Sequence, residues 1–218
     1  MKTLTLFLAV AGSVAFSNFS CAQTSKDPKA QEILKGVSAK YKGMKSLSAS
    51  FKITTQDQKA KTTDTQSGNI LIKGEKYKLT LKGQEIVADG KTVWTFLKES
   101  NEVQINDAGE QSDAISPTSI FTIYEKGFST KYLGEKKEGT KTLQQIELVP
   151  DDTKKAYFKI QLFIDKQGKV ISSAKIFNKN GTNFVYVIEQ FKMNPDAPDA
   201  LFVFDTTKHP GVEVVDLR

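Results

Sequence analysis

Apolar and polar residues alternate with a period of two along most of the chain, and this pattern predicts antiparallel β-strands. In 76–82, Tyr77, Leu79 and Leu81 occupy one face while lysines and a threonine occupy the other. Further strands are predicted at 48–53, 69–73, 102–105, 143–149, 157–165, 169–177 and 183–191.

A hairpin is predicted within 85–97. Asp89-Gly90 lies between two apolar runs and suits a two-residue turn that needs positive φ. After this turn Trp94 and Phe96 share one face of a strand, and the residues between them share the other. Both faces are apolar, so we expect this strand to be covered on both sides.

Two helices interrupt the strands. The first is predicted to begin at Asp27-Pro28, a capping residue followed by proline, and to end near Gly43. The second, at 118–126, follows Ser116-Pro117 and is apolar on more than one side. Two interpretations of it stay open: a lid lying inside a curved sheet, or an ordinary covering helix.

The elements together predict an α+β protein that is mainly β. We expect about ten antiparallel strands in one strongly curved sheet, with the helices against its concave side. No repeat or linker divides the chain, so residues 23–218 are predicted to form a single domain.

The first 22 residues have the pattern of a secretion signal. Lys2 precedes an uncharged, mostly apolar run at 3–16 that is too short to span a bilayer. Ser20 and Ala22 form a small-x-small cleavage site, so we expect the exported chain to begin at Gln23. Lipidation of Cys21 is the alternative.

Charge and composition argue against several classes of function. The net charge of +6 comes almost entirely from lysine, since Arg218 is the one arginine, and nucleic-acid binders favour arginine. With one histidine, His209, and one cysteine, the chain lacks a His/Cys metal cluster and a histidine-based triad. We therefore expect no cofactor, no metal and no enzymatic activity. A hydrolase using paired carboxylates is the alternative, with candidates at Asp151-Asp152, Asp107-Glu110 and Asp196-Asp199.

Binding of an apolar ligand fits the composition better. The chain has 14 Phe, 6 Tyr and one Trp, many of them on strands that are apolar on both faces. A curved sheet lined in this way and covered by an apolar helix can enclose an acyl chain. The simpler interpretation is that these side chains only fill the core.

Several motifs, in this order, resemble the outer-membrane lipoprotein carrier (LolA-like) family. They are S-L-S-A-S-F (46–51), G-N-I-L-I-K (68–73), I-V-A-D-G-K-T-V-W (86–94), S-P-T-S-I-F (116–121) and the F-V-F-D to P-G-V-E-V-V-D tail (202–216). The resemblance implies an unclosed β-barrel whose helix-covered concave face binds lipoprotein acyl chains.

The resemblance also implies site residues and partners. The acyl-chain cavity would be lined by Phe51, Ile72, Tyr77, Leu79, Trp94, Phe96, Ile120, Phe121 and Tyr124, and Ser116, Pro117 and Lys73 would belong to the lid and its closure. Lys73-Gly74 stands where family members carry an Arg-Pro, and lysine cannot form the arginine fork.

The implied role is a monomeric periplasmic shuttle. It would receive outer-membrane lipoproteins from an inner-membrane lipoprotein-releasing ABC transporter and pass them to the outer membrane, where an acceptor protein is a further expected partner. An envelope sensor of the same fold, binding mislocalised lipoproteins or other lipids, is the alternative.

Overall fold

The computed structural model of the chain describes residues 26–108 and 118–218. The predicted secretion signal, Cys21, Ser116 and Pro117 lie outside these ranges. Within them, no helix has the length and hydropathy needed to cross a membrane.

The first predicted helix is confirmed as α1 (Pro28–Lys42). The Asp27 carboxylate accepts hydrogen bonds from the backbone N–H groups of Lys29 and Ala30, which caps the first turn. One stripe of the helix, Ala30, Leu34 and Val37, is buried. Asp27 also accepts from the Tyr132 N–H at 2.9 Å, so the same side chain fixes the helix to the sheet.

Twelve strands over the described ranges form one curved, unclosed sheet that is antiparallel apart from one pair, which confirms the predicted fold class. The strands are β1 (Leu47–Asp57), β2 (Thr62–Lys73), β3 (Lys76–Leu81), β4 (Gln84–Ala88), β5 (Thr92–Leu97), β6 (Glu102–Asp107), β7 (Phe128–Glu138), β8 (Lys141–Pro150), β9 (Tyr157–Asp165), β10 (Val170–Asn178), β11 (Thr182–Met193) and β12 (Glu213–Asp216). Their spatial order is β12-β6-β5-β4-β3-β2-β1-β11-β10-β9-β8-β7, and β12 pairs with β6 in parallel.

Short turns connect β2 to β5 and fix which side chains share a face. Lys73 pairs with Lys76, and Leu81 pairs with Gln84, so each of these turns contains two residues. In the next hairpin the Asp89 N–H donates to the Thr92 carbonyl, so the two turn residues are Gly90 and Lys91. The turn therefore lies one position later than predicted. Gly90 has φ +97°, which explains the glycine.

The inner face of the sheet carries the main core. Here α1 and buried strand residues such as Phe51, Ile70 and Leu79 form one hydrophobic cluster. Residues 119–125, which we call the lid, join the same cluster. The lid is two 3₁₀ turns, Ser119–Phe121 and Ile123–Glu125, rather than the single short helix predicted.

The outer face is covered in part by residues 197–216, which we call the C-terminal strap. The strap contains two 3₁₀ turns, Asp199–Phe202 and Thr206–Lys208, and ends in β12. Its first turn lies against β3 and β4. A second, smaller cluster forms where Phe204 meets Phe96 and Val103.

Candidate functional site

The lid is seated by three apolar side chains. Ile120, Phe121 and Tyr124 are 1%, 3% and 5% exposed. They belong to the same cluster as Phe51 of β1 and Leu79 of β3, both of which are 2% exposed. The structure therefore brings five of the predicted cavity residues together on the inner face.

A strip of half-buried apolar residues continues from this cluster across the inner face. Ile72 pairs directly with Tyr77, and Leu79 with Ile86, so these side chains point to the same side of the sheet. Ile72, Tyr77, Leu81 and Ile86 all pack against the buried cluster but remain partly accessible. Two more of the predicted cavity residues, Ile72 and Tyr77, thus lie in this strip, next to the buried cluster that includes the lid.

Phe51 lies over a glycine in the neighbouring strand. Gly68 pairs with both Phe51 and Leu81, and a Cβ added at Gly68 would come within 2.6 Å of each of their side chains. Only glycine leaves this space for the Phe51 ring without a shift. The glycine therefore positions a central residue of the site.

Trp94 and Phe96 do not join the other predicted cavity residues. Trp94 pairs with Val87, and Val87 with Lys78, so this row lies on the face opposite Tyr77 and Leu79. Phe96 packs instead beneath the C-terminal strap, with ring centroids 5.4 Å from Phe204 and 4.4 Å from His209. Strand alternation accounts for this placement.

Lys73 also lies on the outer face, away from the lid. Its ammonium donates to the Ala197 carbonyl at 3.0 Å and to the Asp199 carboxylate at 2.8 Å. The Lys73 and Lys76 ammonium groups hold the pKa of Asp199 below its ordinary value. In this structure Lys73 fastens the start of the strap, so its predicted place at the lid is not the one observed.

The lid is fastened by a residue that the sequence did not reveal. Glu125, at the lid's end, accepts a hydrogen bond from the Ser38 hydroxyl at 2.7 Å and pairs with the Lys42 ammonium at 3.1 Å. The Ser38 hydrogen bond, with Lys42 beside it, lowers the pKa of Glu125. Ser38 and Lys42 are four residues apart and share a face of α1. That spacing is visible in the sequence, but their acidic partner is not.

Tyr41 of α1 links the helix, the lid and the sheet. Its hydroxyl accepts a hydrogen bond from the Ile171 N–H at 2.8 Å, and its ring meets the Phe121 ring edge-on with centroids 5.6 Å apart. Burial raises the pKa of Tyr41, so its hydroxyl stays protonated at neutral pH. Tyr41 is a second residue that the sequence analysis missed.

Tyr124 differs from Tyr41 in one respect. Its hydroxyl is buried, and it makes no hydrogen bond with any residue in the described ranges. Burial raises the pKa of this hydroxyl too, which keeps it a neutral donor. A buried hydroxyl without a partner is unusual, because buried polar groups are nearly always paired.

Residues 42–205 match the family model of the outer membrane lipoprotein carrier protein LolA, which is most of the chain. The chain belongs to the LolA family. The LolA match includes the inner-face strands and the lid, whereas Ser38 and Tyr41 of α1 precede it.

One curated relative carries the name of the same family, a second is uncharacterised, and a solved structure shares the fold. An outer-membrane lipoprotein carrier protein of Histophilus somni is 27% identical over 79% of this chain and 81% of its own length. An uncharacterised protein of Methanocaldococcus jannaschii is 30% identical over 92% of this chain, which spans about half (56%) of that relative. The fold is similar to an uncharacterised conserved protein of Thermus thermophilus, with a TM-score of 0.60, 13% identity, and coverage of 86% of this chain and 99% of that one.

Proposed function

We propose that this LolA-family protein is a periplasmic carrier that binds the acyl chains of lipoproteins between its lid and the inner face of its sheet. It moves them from the inner to the outer membrane and catalyses no reaction. The observation that carries the proposal is the apolar inner face under a separately fastened lid, in a chain that matches the family model over that region.

The energetics of such a site favour acyl chains. Burying one methylene group contributes roughly 0.8 kcal/mol, so a chain of many methylenes outweighs a few polar contacts. The half-buried strip of Ile72, Tyr77 and Ile86 supplies apolar surface that the folded chain has only partly covered. An acyl chain lying along this strip would complete its burial.

Loading requires the lid to move. The Glu125 contacts to Ser38 and Lys42 break, and Phe121 separates from Tyr41, which uncovers Phe51 and Leu79. The acyl chains then lie between the lid side chains and the inner face of the sheet. Because the Glu125 contacts are at the surface, they oppose opening only weakly.

The partners follow from this role. An inner-membrane lipoprotein-releasing ABC transporter supplies the acyl chains, and an outer-membrane acceptor receives them. The protein acts as a monomer after export and cleavage behind Ala22. The intact mass of the exported protein tests the cleavage site, since acylation of Cys21 would leave a longer and heavier chain.

A release assay tests the carrier function. Inner-membrane vesicles containing the ABC transporter and a labelled lipoprotein receive ATP and the purified protein, and the label is measured in the supernatant. We expect release with the wild type and little release with Phe121→Glu, which places an unpaired charge among apolar side chains. Failure of the wild type to release lipoprotein, together with recovery of lipid-free protein from detergent-free purification, would contradict the proposal.

A matched pair of variants separates binding from folding. Ile86→Asp changes a half-buried residue of the inner face, and Val187→Asp changes an outer-face residue that is 41% exposed. We expect Ile86→Asp to reduce release and Val187→Asp to leave it unchanged, with both variants folded by circular dichroism. Equal effects would place the binding surface elsewhere.

A further inference from the structure

We infer that the Tyr124 hydroxyl recognises the carbonyl oxygen of an ester-linked acyl chain, so that the site binds acyl esters in preference to bare hydrocarbon. The inference rests on the proposed function, because it assumes that acyl chains bind beneath the lid. It adds the polar group that the ligand must carry and the residue that selects it.

The observation behind it is the unpaired state of a deeply buried phenol. Tyr124 is 5% exposed, and its hydroxyl has no hydrogen-bond partner in the described part of the chain. It belongs to the cluster that holds Phe51, Phe121 and Leu79, in which apolar side chains predominate. Phenylalanine would fill nearly the same volume here without burying an unpaired hydroxyl.

The comparison with Tyr41 shows that the hydroxyl of Tyr124 is not needed to fix the lid. Tyr41 uses its hydroxyl to bind the Ile171 N–H of β10. The lid is held at its end by Glu125 and through the Phe121 ring, neither of which uses the Tyr124 hydroxyl. The Tyr124 hydroxyl therefore remains available for a group that arrives with the ligand.

The chemistry of the donor selects the kind of acceptor. A neutral phenol in apolar surroundings donates best to an acceptor that needs no counter-charge, because a buried carboxylate would have to be paired. The carbonyl oxygen of an ester meets this condition and lies at the polar end of an acyl chain. Both the diacylglyceryl group of a lipoprotein and a diacyl phospholipid provide it.

Matched ester and ether lipids test the inference. A diacylated lipopeptide and a diacyl phosphoglycerol are each compared with the dialkyl ether of the same chain length, which lacks the carbonyl oxygens. Affinities are measured by displacement of a fluorescent fatty acid from the wild type, Tyr124→Phe and Tyr132→Phe. Tyr132→Phe is the control, because it removes the phenol of a tyrosine that lies on β7 and not in the lid.

We expect the wild type and Tyr132→Phe to bind the esters about 5- to 10-fold more tightly than the ethers, the usual effect of one hydrogen bond. Tyr124→Phe should bind the ether as the wild type does, lose the ester preference and unfold at no lower a temperature. The carbonyl stretch of a ¹³C-labelled ester should lie at lower frequency in the wild type than in Tyr124→Phe. Preference for both esters identifies the acyl ester as the recognised group, and preference for the lipopeptide alone identifies the lipoprotein as its source.

Two results would overturn the inference, and they differ in what else they overturn. If esters and ethers bind the wild type equally well, or if Tyr124→Phe keeps the ester preference, then Tyr124 does not read the carbonyl and the carrier proposal stands. If the wild type binds none of these lipids, the carrier proposal fails together with the inference.

Discussion

The lid and the C-terminal strap cover opposite faces of the same sheet with similar components. Each is a short segment built on 3₁₀ turns that buries aromatic side chains and is tied down by lysine–carboxylate contacts. In the strap, the rings of Phe204 and His209 stack at a centroid distance of 4.6 Å, and both contact Phe96 of β5. In the lid, the Phe121 ring contacts the Tyr41 ring of α1.

The two regions differ in how completely their polar groups are paired and their apolar side chains are buried. Lys73 and Lys76 both bind Asp199 at the start of the strap, and β12 continues the sheet at the strap's end. The lid is held at its end by Glu125 and borders half-buried apolar residues, and the Tyr124 hydroxyl finds no partner among residues 26–108 and 118–218. The strap thus completes the fold, whereas the lid lies beside a surface that is only partly covered, as the proposed carrier function requires.

Contacts of the strap should therefore contribute more to the free energy of unfolding than contacts of the lid. Phe204→Ala removes a ring that packs on Phe96 and His209, and we expect it to lower the free energy of unfolding by about 3 kcal/mol. Val203→Ala, at a neighbouring position that is 51% exposed, should change it by less than about 0.5 kcal/mol. Urea titrations measure both.

Acyl-chain binding by Phe204→Ala tests whether the strap stabilises the fold without shaping the proposed ligand site. Under conditions where Phe204→Ala is folded, we expect it to bind a fluorescent fatty acid as the wild type does. Loss of binding in the folded variant would mean that the strap also shapes the ligand site.

Gly68→Ala should disturb the inner face by overpacking it. The new Cβ would come within 2.6 Å of the Phe51 ring and the Leu81 side chain, and such overpacking typically costs about 1–3 kcal/mol. Because the Phe51 ring has to move, we expect weaker acyl binding as well. The measurement pairs thermal unfolding with fatty-acid displacement.

Gly36→Ala is the matched control for that change. A Cβ at Gly36 meets nothing closer than the Lys169 side chain at 3.7 Å, and Gly36 lies inside α1. We expect a gain in stability of about 0.5–1 kcal/mol from helix propensity, with binding unchanged. A Gly68→Ala protein with wild-type binding would show that Phe51 does not line the site.

The contrast between the faces also explains what the sequence could predict. The alternation in β3 and the caps of α1 are local signals, so the shared face of Tyr77 and Leu79 and the bounds of the helix follow from the sequence. The faces of Trp94 and Phe96 follow from counting residues through the turns at 74–75, 82–83 and 90–91, since each two-residue turn preserves the alternation from strand to strand. The family resemblance implies a place in the cavity for these two residues, whereas the residue count places them on the outer face.

Other features depend on contacts that no local pattern encodes. Phe96 meets His209, and Glu125 meets Ser38, across separations of more than eighty residues. The strands β7 and β12 were missed because charged residues dominate the end of β7 and β12 is only four residues long. The family resemblance implies a role for Lys73 at the lid. Lys73 directly follows Ile72 of the inner face, however, and successive residues of a strand point to opposite faces, so Lys73 lies on the outer face.

Lys73→Met sharpens the comparison at the outer face. It removes the contacts to Ala197 and Asp199, so we expect faster proteolysis within the strap and unchanged acyl binding. Lys78→Met is the control. The Lys78 ammonium lies on the same face, but it pairs with the Glu85 carboxylate of β4 at 3.0 Å. If Lys73→Met changed the rate of acyl binding, then Lys73 would act on the lid after all.

Glu125→Gln should have the smallest effect and would act on the lid alone. It keeps the shape of the side chain but removes the charge that faces Lys42. An exposed ion pair of this kind contributes about 0.5 kcal/mol, so the lid-open population should rise about twofold. Glu189→Gln, which breaks the Lys52–Glu189 pair at 2.6 Å between β1 and β11, is the control. Association rates of a neutral fluorescent diacylglycerol measure the opening.

The same contact predicts a pH dependence whose sign follows from the lowered pKa of Glu125. A carboxylate that is stabilised in the closed state keeps the lid fastened above the ordinary glutamate value of 4.5 and releases it as the pH falls through the lowered value. We therefore expect the wild type to load the neutral probe faster as the pH drops below 4.5, and Glu125→Gln to load it at one rate throughout. An acid acceleration that persists in Glu125→Gln would assign it to other carboxylates. In that case the Glu125 contact would not control the opening of the lid, and the difference between the two faces would rest on the Tyr124 hydroxyl, which has no partner among the described residues, and on the half-buried strip.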